Sequence, residues 1–587
     1  MIVPAAPAEA MAAPSLAQAA APANPGITNN QSAGVDEGGI VKQIGRYLVV
    51  LQDGRLFSID LGDGDRGGMR LADRADVYRS AETAASWYDE MLVFGDRILV
   101  TAYNYRESAS EITVLRLDSA GRIRREARYL MSSNDYYSTE NYASRLVGDN
   151  LVFYAPHPLL WGGEDERFAW PTLRRADADG EAGKGEALIG PTDVTMPAGK
   201  VDYPVIHTVA VCPLRERIAC RTTAFVGPEM RELYVSPSDA YLWIGAPAGL
   251  PWSIDYGNRR RNPGCAEGRH WNDPGEAAAM LYRLPLDGAP VGAVAVEGVP
   301  DDQFAFEAKD GHFRALLTRP RAGCAAPDAA SPLALMDLPL SVFGPRVRRV
   351  AESAYAPLPA IAGGQIEKRF VGDWLVYGGR DGWSSMPAEG AAAQGSTLFA
   401  VPLAQPAKVA RLALPHNAIR IERVGSDALV TGYRGAEGLS LSYVRLGAAP
   451  AIASTALLPD RFESENRSHA FNAAVQADGS GVMGIPTTLR IRRAGRGWSD
   501  SASSDLSFLA FGLDRKLAPA GELGLEGGKP APGYACQVSC VDWYGNSRPI
   551  FTGGRIFALM GTELVEGTMR EGRIVERGRV DLTRPVS

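Results

Sequence analysis

The stretch Trp87–Ala102, which reads WYDEMLVFGDRILVTA, consists of two apolar segments joined by the dipeptide Gly95-Asp96. Such a dipeptide between two apolar segments is typical of the tight turn in a β-hairpin. A comparable turn recurs along the whole chain, which predicts a repeated β-structural unit. The nine turns are Gly45-Arg46, Gly95-Asp96, Gly148-Asp149, Ser238-Asp239, Asp310-Gly311, Gly372-Asp373, Ser426-Asp427, Asp478-Gly479 and Gly553-Gly554.

Each unit contains four predicted strands, called A to D here, and the Gly/Asp turn joins A to B. In the second unit the strands are Trp87–Phe94, Arg97–Ala102, Ile112–Asp118 and Ile123–Leu130. Alternating and β-branched patterns dominate, and no long helical period competes with them. The sequence therefore predicts an all-β fold, a β-propeller of four-stranded blades with nine repeat units. Eight blades plus an accessory hairpin is an alternative count, and a two-sheet sandwich or stacked β domains is the alternative architecture.

Composition limits the function classes. The 587 residues carry a net charge of −7 with scattered basic residues, which argues against nucleic-acid binding. No apolar run is long enough to span a bilayer. Residues 1–26 are interpreted as a disordered leader rich in Ala and Pro, and residues 27–587 as a single propeller domain. The leader lacks the basic and apolar regions of a signal peptide, so it predicts a mature secreted chain, with an ordinary cytoplasmic N-terminus as the alternative.

The six cysteines fall into three pairs. Cys212 and Cys220 flank a polar turn, Cys536 and Cys540 lie in one Gly-rich connection, and Cys265 and Cys324 lie in long loops of neighbouring units. Zinc binding is the alternative, but closely spaced Cys-x-x-Cys motifs are missing. The sequence predicts three disulfides and therefore a periplasmic or extracellular location.

Loop lengths are distributed unevenly around the predicted units. All nine A–B turns are tight and most C–D turns are short, whereas the B–C and D–A connections vary widely. In a meandering four-stranded blade the B–C and D–A connections emerge on the same face, so we expect the elaboration, and with it the function, on that face. The long B–C loops are 155–200, 246–276, 318–331, 380–395 and 488–504, and the long D–A connections include 132–142 and 526–546.

Polar residues at the starts of the A strands are expected to converge at the mouth of the central channel. The candidates for binding there are Asp36, Glu37, Asn141, Asp301, Asp302, His416, Arg467 and His469. Converging carboxylate oxygens are the ligands that Ca²⁺ prefers, so Ca²⁺ is a possible cofactor. The alternative is that Asp36 and Glu37 bind backbone donors or pair with Arg145 or Arg548. No catalytic residue is assigned.

Aromatic residues are dense in the predicted loops, where they suit stacking on a sugar or a peptide. The alternative is that they form small hydrophobic clusters within the loops themselves. These aromatic residues are Tyr103, Tyr105, Tyr136, Tyr137, Tyr142, Trp161, Trp170, Trp252, Tyr256, Trp271, Trp543 and Tyr544.

The segment Thr28–Lys42, TNNQSAGVDEGGIVK, resembles the opening signature of a family of secreted bacterial and archaeal β-propeller proteins distantly similar to WD-repeat propellers. Further similarities are Ser144-Arg145-Leu146 and the Ser468–Phe471 run. The chain departs from the family pattern at Gly38-Gly39, where Ala-Asp is usual, and at Ser468, where Asp is usual. The resemblance implies the propeller fold and secretion, and it implies no catalytic activity.

These observations lead to two functional hypotheses. The first, which the sequence favours over an enzyme, is an extracytoplasmic binding or scaffold protein whose loop-rich face binds a partner protein or a glycan. The second is a metal-assisted hydrolase or lyase that acts on an extracellular polymer at the channel mouth. An enzyme would need two or more acid/base groups within hydrogen-bond reach around an open pocket, whereas a scaffold would show a broad apolar, aromatic-rich patch with unclustered ionisable groups.

Overall fold

A computed structural model gives the fold of residues 27–62, 68–79, 86–134, 144–159, 169–176, 183–197, 201, 204–215, 218–245, 279–319, 332–361, 365–380, 387, 391–465, 467–493, 497–500, 505–526, 530–540 and 545–586. These described residues form nine sheets whose main strands are antiparallel, numbered 1 to 9 along the chain. The predicted leader, 1–26, lies outside them.

The first strand of each sheet follows the connection from the previous sheet, and the next three strands follow in sequence order. Sheets 1 to 3 contain β2 (Val41–Ile44), β3 (Tyr47–Gln52), β4 (Arg55–Asp60) and β5 (Arg70–Asp76); β6 (Ser86–Phe94), β7 (Arg97–Asn104), β8 (Ala109–Leu117) and β9 (Ile123–Ser132); and β10 (Ser144–Val147), β11 (Asn150–Pro158), β15 (Val205–Pro213) and β16 (Arg221–Gly227).

Sheets 4 to 6 repeat this order. They contain β17 (Met230–Val235), β18 (Asp239–Gly245), β19 (Ala279–Pro285) and β20 (Gly292–Val296); β21 (Phe306–Lys309), β22 (His312–Thr318), β23 (Leu333–Pro339) and β25 (Tyr355–Leu358); and β26 (Gln365–Val371), β27 (Trp374–Arg380), β28 (Ser396–Pro402) and β29 (Ala410–Leu414).

Sheets 7 to 9 complete the series, and in sheet 8 two short strands share the innermost position. They contain β30 (Arg420–Val424), β31 (Asp427–Tyr433), β32 (Gly438–Arg445) and β33 (Ala451–Pro459); β34 (Arg461–Glu463), β35 (Asn472–Val475), β36 (Gly481–Arg493), β38 (Asp505–Phe511) and β39 (Leu517–Leu523); and β40 (Ser547–Thr552), β41 (Arg555–Met560), β42 (Glu563–Arg570) and β43 (Arg573–Asp581).

Smaller elements decorate these sheets. The additional strands are β1 (Val35–Glu37), β12 (Thr172–Arg175), β13 (Glu186–Ala187), β14 (Val194–Thr195), β24 (Arg348–Arg349) and β37 (Gly497–Asp500). The helices described are single 3-10 turns at Pro191–Asp193, Gln303–Ala305, Leu340–Val342, Glu352–Ala354, Gly435–Glu437 and Ser468–Ala470.

Apolar side chains between neighbouring sheets close the sheets into a ring. One hydrophobic cluster joins sheet 1 to sheet 2, and similar clusters join each later sheet to the next. The last cluster joins sheet 9, through residues such as Ile550 and Phe557, to Leu48 and Phe57 of sheet 1. Because each sheet is covered on both sides, both side-chain rows of its strands are apolar, as in other sheets packed face to face. The ring of four-stranded sheets is a β-propeller, which confirms the predicted fold class.

The predicted tight turns are present, and several of them have left-handed backbone at glycine. Gly45, Gly95, Gly148 and Gly372 have φ between 57° and 61°, which a residue with a Cβ atom adopts only at a cost. We call the face with the A–B and C–D connections the turn face, and the opposite face, with the B–C and D–A connections, the loop face.

Long connections and additional strands are not confined to the loop face. The C–D connection of sheet 5 spans 340–354 and contributes β24, which pairs in parallel with β20 of sheet 4. The B–C connection of sheet 3 contributes β12 and β13 to sheet 2 and β14 to the edge of sheet 3. Residues 246–278 and 320–331, which belong to the B–C loops of sheets 4 and 5, lie outside the described residues.

Two of the predicted disulfides are present. Cys212 and Cys220 join β15 to the segment before β16, with Cα atoms 4.1 Å apart. Cys536 and Cys540 close a short connection before sheet 9. The predicted pair Cys265–Cys324 lies outside the described residues.

Candidate functional site

The centre of the ring contains the segment Ile27–Glu37, which we call the plug. Asn29 donates to Glu422 of sheet 7 at 2.9 Å and to the Ser468 carbonyl before sheet 8 at 3.1 Å. Gln31 donates to the carbonyl oxygens of Gln303 and Phe306 at sheet 5, at 2.8 and 3.2 Å. The plug therefore joins the innermost strand of sheet 7 to the inner edges of sheets 5 and 8.

The end of the plug forms a strand of its own. β1 pairs antiparallel with β10, with Val35 opposite Val147 and Glu37 opposite Arg145. Sheet 3 thus has a fifth strand on its inner side, and this strand is contributed from within the channel. Ser32, just before it, bonds the Tyr234 hydroxyl of sheet 4 at 2.9 Å.

Asp36 forms a buried ion pair with the first strand of sheet 1. Lys42 Nζ lies 2.6 Å from Asp36 Oδ1, 2.7 Å from the Glu37 carbonyl oxygen and 2.9 Å from Thr28 Oγ1. Lys42 is fully buried. An ammonium group has three protons to donate, and all three are used here. Asp36 is therefore committed to holding the plug against sheet 1.

Glu37 is a buried carboxylate of the plug whose pKa lies well below its usual range. Burial by itself would raise the pKa of Glu37, but the Arg145 guanidinium 3.8 Å away and the hydrogen bond from His469 outweigh burial. The pKa of Glu37 is lowered to about 2. The Gln31 amide N–H also donates to this carboxylate, at 3.3 Å. Glu37 is therefore ionised at any pH at which the protein is folded under ordinary conditions.

His469 serves as a hydrogen-bond donor to Glu37. Its Nε2 lies 2.8 Å from Glu37 Oε2, and its side chain is buried. Burial lowers the pKa of His469 more than the Glu37 carboxylate raises it. The imidazole is therefore neutral at pH 7, and because Glu37 is ionised, the ring proton is on Nε2.

A second network of buried charges surrounds Arg420 on the innermost strand of sheet 7. Arg420 donates to Glu422 at 3.0 Å and to Glu463 at 2.5 Å. Glu422 also accepts from Arg369 of sheet 6. Burial tends to lower the pKa of Arg420, but the two carboxylates raise it overall. This network links three consecutive sheets next to the plug.

The remaining predicted site residues do not join Asp36 and Glu37. Asp301 and Asp302 both pair with Lys368 of sheet 6, at 2.8 and 2.7 Å, and Asp302 also caps a 3-10 turn. Arg467 lies near Glu90 of sheet 2. Burial raises the pKa of the Glu90 carboxyl overall, and the positive charge of Arg467 offsets part of this rise. Asn141 lies outside the described residues.

His416 lies away from the channel mouth, contrary to the prediction. Its Nε2 is 2.8 Å from Ser442 Oγ on the third strand of sheet 7, and its Nδ1 is 2.5 Å from the Asn417 carbonyl oxygen. Burial lowers the pKa of His416 to about 4. In the sequence His416 and His469 occupy similar positions before a first strand, but only His469 points to the centre of the ring.

Several acidic channel residues that the structure describes are engaged by basic side chains, either in pairs or in the Arg420 network. Asp36, Glu37, Asp301 and Glu422 each face a cationic side chain. Within the described part of the chain no group of three or more His, Cys, Asp or Glu residues is arranged to hold a metal ion. Of the partners named in the alternative, Arg145 faces Glu37, while Asp36 pairs with Lys42, which was not named there.

Exposed aromatic side chains occur at the loop-face end of sheet 2. Tyr105 follows β7 and Trp170 precedes β12, and 37% of each residue's surface is exposed. β12 extends the same sheet, because Arg174 lies opposite Leu130 and Thr172 bonds Ser132. Tyr105 packs edge-on against Tyr103, with ring centroids 5.2 Å apart.

The sequence comparison agrees with this architecture. The model of the beta propeller domain family matches residues 26–352, which is more than half of the chain. The chain belongs to this family. The match begins at the plug and includes sheets 1 to 4, so this propeller shares its central segment with the family. A search of curated proteins found no match. No helix in the described part of the propeller is long and apolar enough to cross a membrane.

The plug itself was not predicted from the sequence. The polar run Thr28–Gln31 was recognised only as part of a family signature, and its residues are small or amide-bearing, as in many surface loops. The one available signal is that a polar run with four consecutive hydrogen-bonding side chains directly precedes the first strand of a closed ring.

Proposed function

We propose that this propeller is an extracytoplasmic binding or scaffold protein, and that its loop face binds a partner protein or a glycan. The observation that carries the proposal is the exposure of Tyr105 and Trp170 at one end of sheet 2. Among the described residues these two are the aromatic side chains with large exposure, and both belong to loop-face connections. The channel supports the same proposal, since Asp36, Glu37, Asp301 and Glu422 each face a cationic side chain.

The surroundings of the two aromatic residues suit recognition. Glu107, in the same connection as Tyr105, pairs with Arg174 at 3.1 Å and with Arg79. Asn104 accepts from the amide N–H of Glu107 and so orders this connection. Rigid aromatic rings next to charged and amide groups provide stacking and hydrogen bonding together, which sugars and peptide side chains both use.

The extracytoplasmic part of the proposal is supported by the disulfides. Cys212–Cys220 and Cys536–Cys540 are both formed, and among the described residues no cysteine is left free. Paired cysteines are typical of oxidising compartments and rare in the cytosol.

The test compares the double variant Tyr105→Ala/Trp170→Ala with the wild type. Soluble oligosaccharides and peptides from extracellular matrices would be titrated, with intrinsic tryptophan fluorescence and calorimetry as readouts. We expect the double variant to lose at least about tenfold in affinity, because stacking residues dominate such sites. Leu513→Ala is the matched control, because Leu513 is a 68% exposed apolar side chain on the turn face.

Two results would contradict the proposal. One is equal affinity of the double variant and the wild type for a ligand that binds. The other is an equal loss in the Leu513→Ala control, which would place binding on the turn face.

A further inference from the structure

A cavity of about 180 Å³ lies between sheets 2 and 3, towards the turn face. It is separate from the channel and from the loop-face aromatic residues. Its lining combines apolar side chains with charged groups. The lining residues are Arg97, Leu99, Val114, Glu126, Ala127, Tyr129, Arg175, Leu214 and Ile218.

Strand register explains why one wall is apolar. Leu99 on β7 lies opposite Val114 on β8, and Val114 lies opposite Ala127 on β9. Directly paired residues in a sheet point to the same side, so these three form one row. Tyr129 continues on the same side two residues later. Because Ala127 is small, the row has a depression where a larger side chain would fill the space.

The opposite wall belongs to the loop that Cys212 and Cys220 close. Leu214 and Ile218 lie within this loop and are 4% and 6% exposed. Arg97 holds the loop in place by donating to the Leu214 carbonyl oxygen at 2.6 Å. The disulfide therefore keeps an apolar cover over the row on sheet 2.

A bulge in sheet 2 places the charged groups at the rim. The pairing of β8 with β9 shifts between Val114 and Leu115, so Glu126 is the extra residue there. Its carboxylate lies 3.3 Å from Arg97 and 2.5 Å from Arg116. Arg175 on β12 lies opposite Tyr129 of β9 and is exposed. The lining thus has two guanidinium groups and one carboxylate, an excess of positive charge.

We infer that this cavity binds a small organic carboxylate whose apolar part is a single aromatic ring or a short alkyl chain. An apolar cavity of about 150 Å³ is large enough for benzene. The ring fits against Leu99, Val114 and Ala127, and the carboxylate lies at the rim near Arg175. A guanidinium group recognises a carboxylate by paired hydrogen bonds, which gives the site its preference for anions.

The experiment uses phenylacetate as the probe and the full-length protein with its disulfides oxidised. Ligand-observed NMR and calorimetry would measure its affinity, with 2-phenylethanol as the uncharged and phenethylamine as the cationic comparison. We expect saturable binding of phenylacetate and affinities at least about fivefold weaker for the two comparison compounds.

Two variants locate the site. Ala127→Leu fills the depression and is expected to abolish saturable binding, while Arg175→Gln lowers affinity by about 3- to 10-fold. Arg124→Gln is the matched control for Arg175→Gln, because Arg124 is an exposed arginine on the neighbouring strand β9 that does not line the cavity. Thermal unfolding of each variant shows that the fold is kept.

The inference is overturned by any of three results. These are no saturable binding of phenylacetate, unchanged binding in a folded Ala127→Leu variant, or equal binding of phenylacetate and 2-phenylethanol. Each of them leaves the proposed role of the loop face untouched, since Tyr105 and Trp170 do not line this cavity.

Discussion

Replacing Glu37 by glutamine tests whether the plug stabilises the ring through a buried charge. The carboxylate accepts from His469 Nε2 on one oxygen and from the Gln31 amide on the other. A glutamine side chain has one acceptor oxygen, so its NH₂ group must face one of these two donors. Arg145, 3.8 Å away, also loses its opposite charge.

The magnitude follows from the pKa of Glu37, which folding lowers from 4.5 to about 2. A shift of this size corresponds to about 3 kcal/mol of stability. Because the pKa is lower in the folded state, this contribution is fully present above pH 4.5 and is lost as the pH falls from 4.5 towards 2. For 587 residues with an unfolding entropy of about 2 cal/mol/K each, 3 kcal/mol corresponds to a shift of about 2–3 °C in Tm.

Differential scanning calorimetry from pH 2.5 to pH 7 is the appropriate assay. We expect Glu37→Gln to unfold about 2–3 °C below the wild type at pH 7, and the two Tm values to converge as the pH approaches 2. The control is Glu576→Gln, which removes a glutamate that is 41% exposed and pairs with Arg579. Surface ion pairs contribute about 0–1 kcal/mol, so this control should stay close to the wild type.

A constant Tm difference between Glu37→Gln and the wild type from pH 3 to pH 7 would refute this reasoning. The loss would then come from packing or hydrogen bonding, and not from the ionised carboxylate. A variant as stable as the wild type at pH 7 would show that the plug contributes little to the ring.

Three further substitutions test other parts of the structure. Lys42→Met leaves the buried Asp36 carboxylate without its cation. We expect the free energy of unfolding at pH 7, measured with denaturant, to fall by about 3–5 kcal/mol, and the plug to be cleaved faster by protease. Changing Cys212 and Cys220 to serine opens a short loop. We expect the free energy of unfolding to fall by about 2–3 kcal/mol, and a reductant to have no further effect on Tm through this disulfide. Gly432→Ala places a Cβ 1.7 Å from the Asn417 carbonyl oxygen, so calorimetry should show a loss of at least about 1–3 kcal/mol, whereas a neutral effect would mean that this connection moves freely.

The hairpins were predictable from the sequence because their signal is local. A turn such as Gly95-Asp96 needs φ near 60° at its glycine, and the flanking strands are apolar on both sides because sheets cover both faces. Residue type and the next few positions are enough to recognise both properties. The disulfide Cys212–Cys220 was predictable for the same reason, since its partners flank one turn.

The candidate site was only partly predictable because its contacts are distant in sequence. Asp36, Glu37 and His469 do converge, but Asn29 reaches Glu422 across 393 positions and was not recognised as a central residue. Pairing with Arg145 was one of the alternatives and occurs at Glu37, whereas Lys42 was not among the expected partners of Asp36. The spacing of apolar residues in the sequence does not indicate which basic side chain will pair with a buried carboxylate. The pairing depends on how the sheets are arranged around the axis.

The plug also accounts for how the ring is closed. In the described residues, sheet 9 consists of strands from the end of the chain and sheet 1 of strands from its beginning, so neither borrows a strand from the other. Their contact depends on one hydrophobic cluster and on hydrogen bonds such as Arg555 to the Leu61 carbonyl oxygen at 2.8 Å. The plug reinforces this seam from inside, because Ile27 packs in the same cluster while Asn29 is bonded at sheets 7 and 8. A ring fixed at its centre keeps the loop-face connections at constant spacing, which is the property that a scaffold requires.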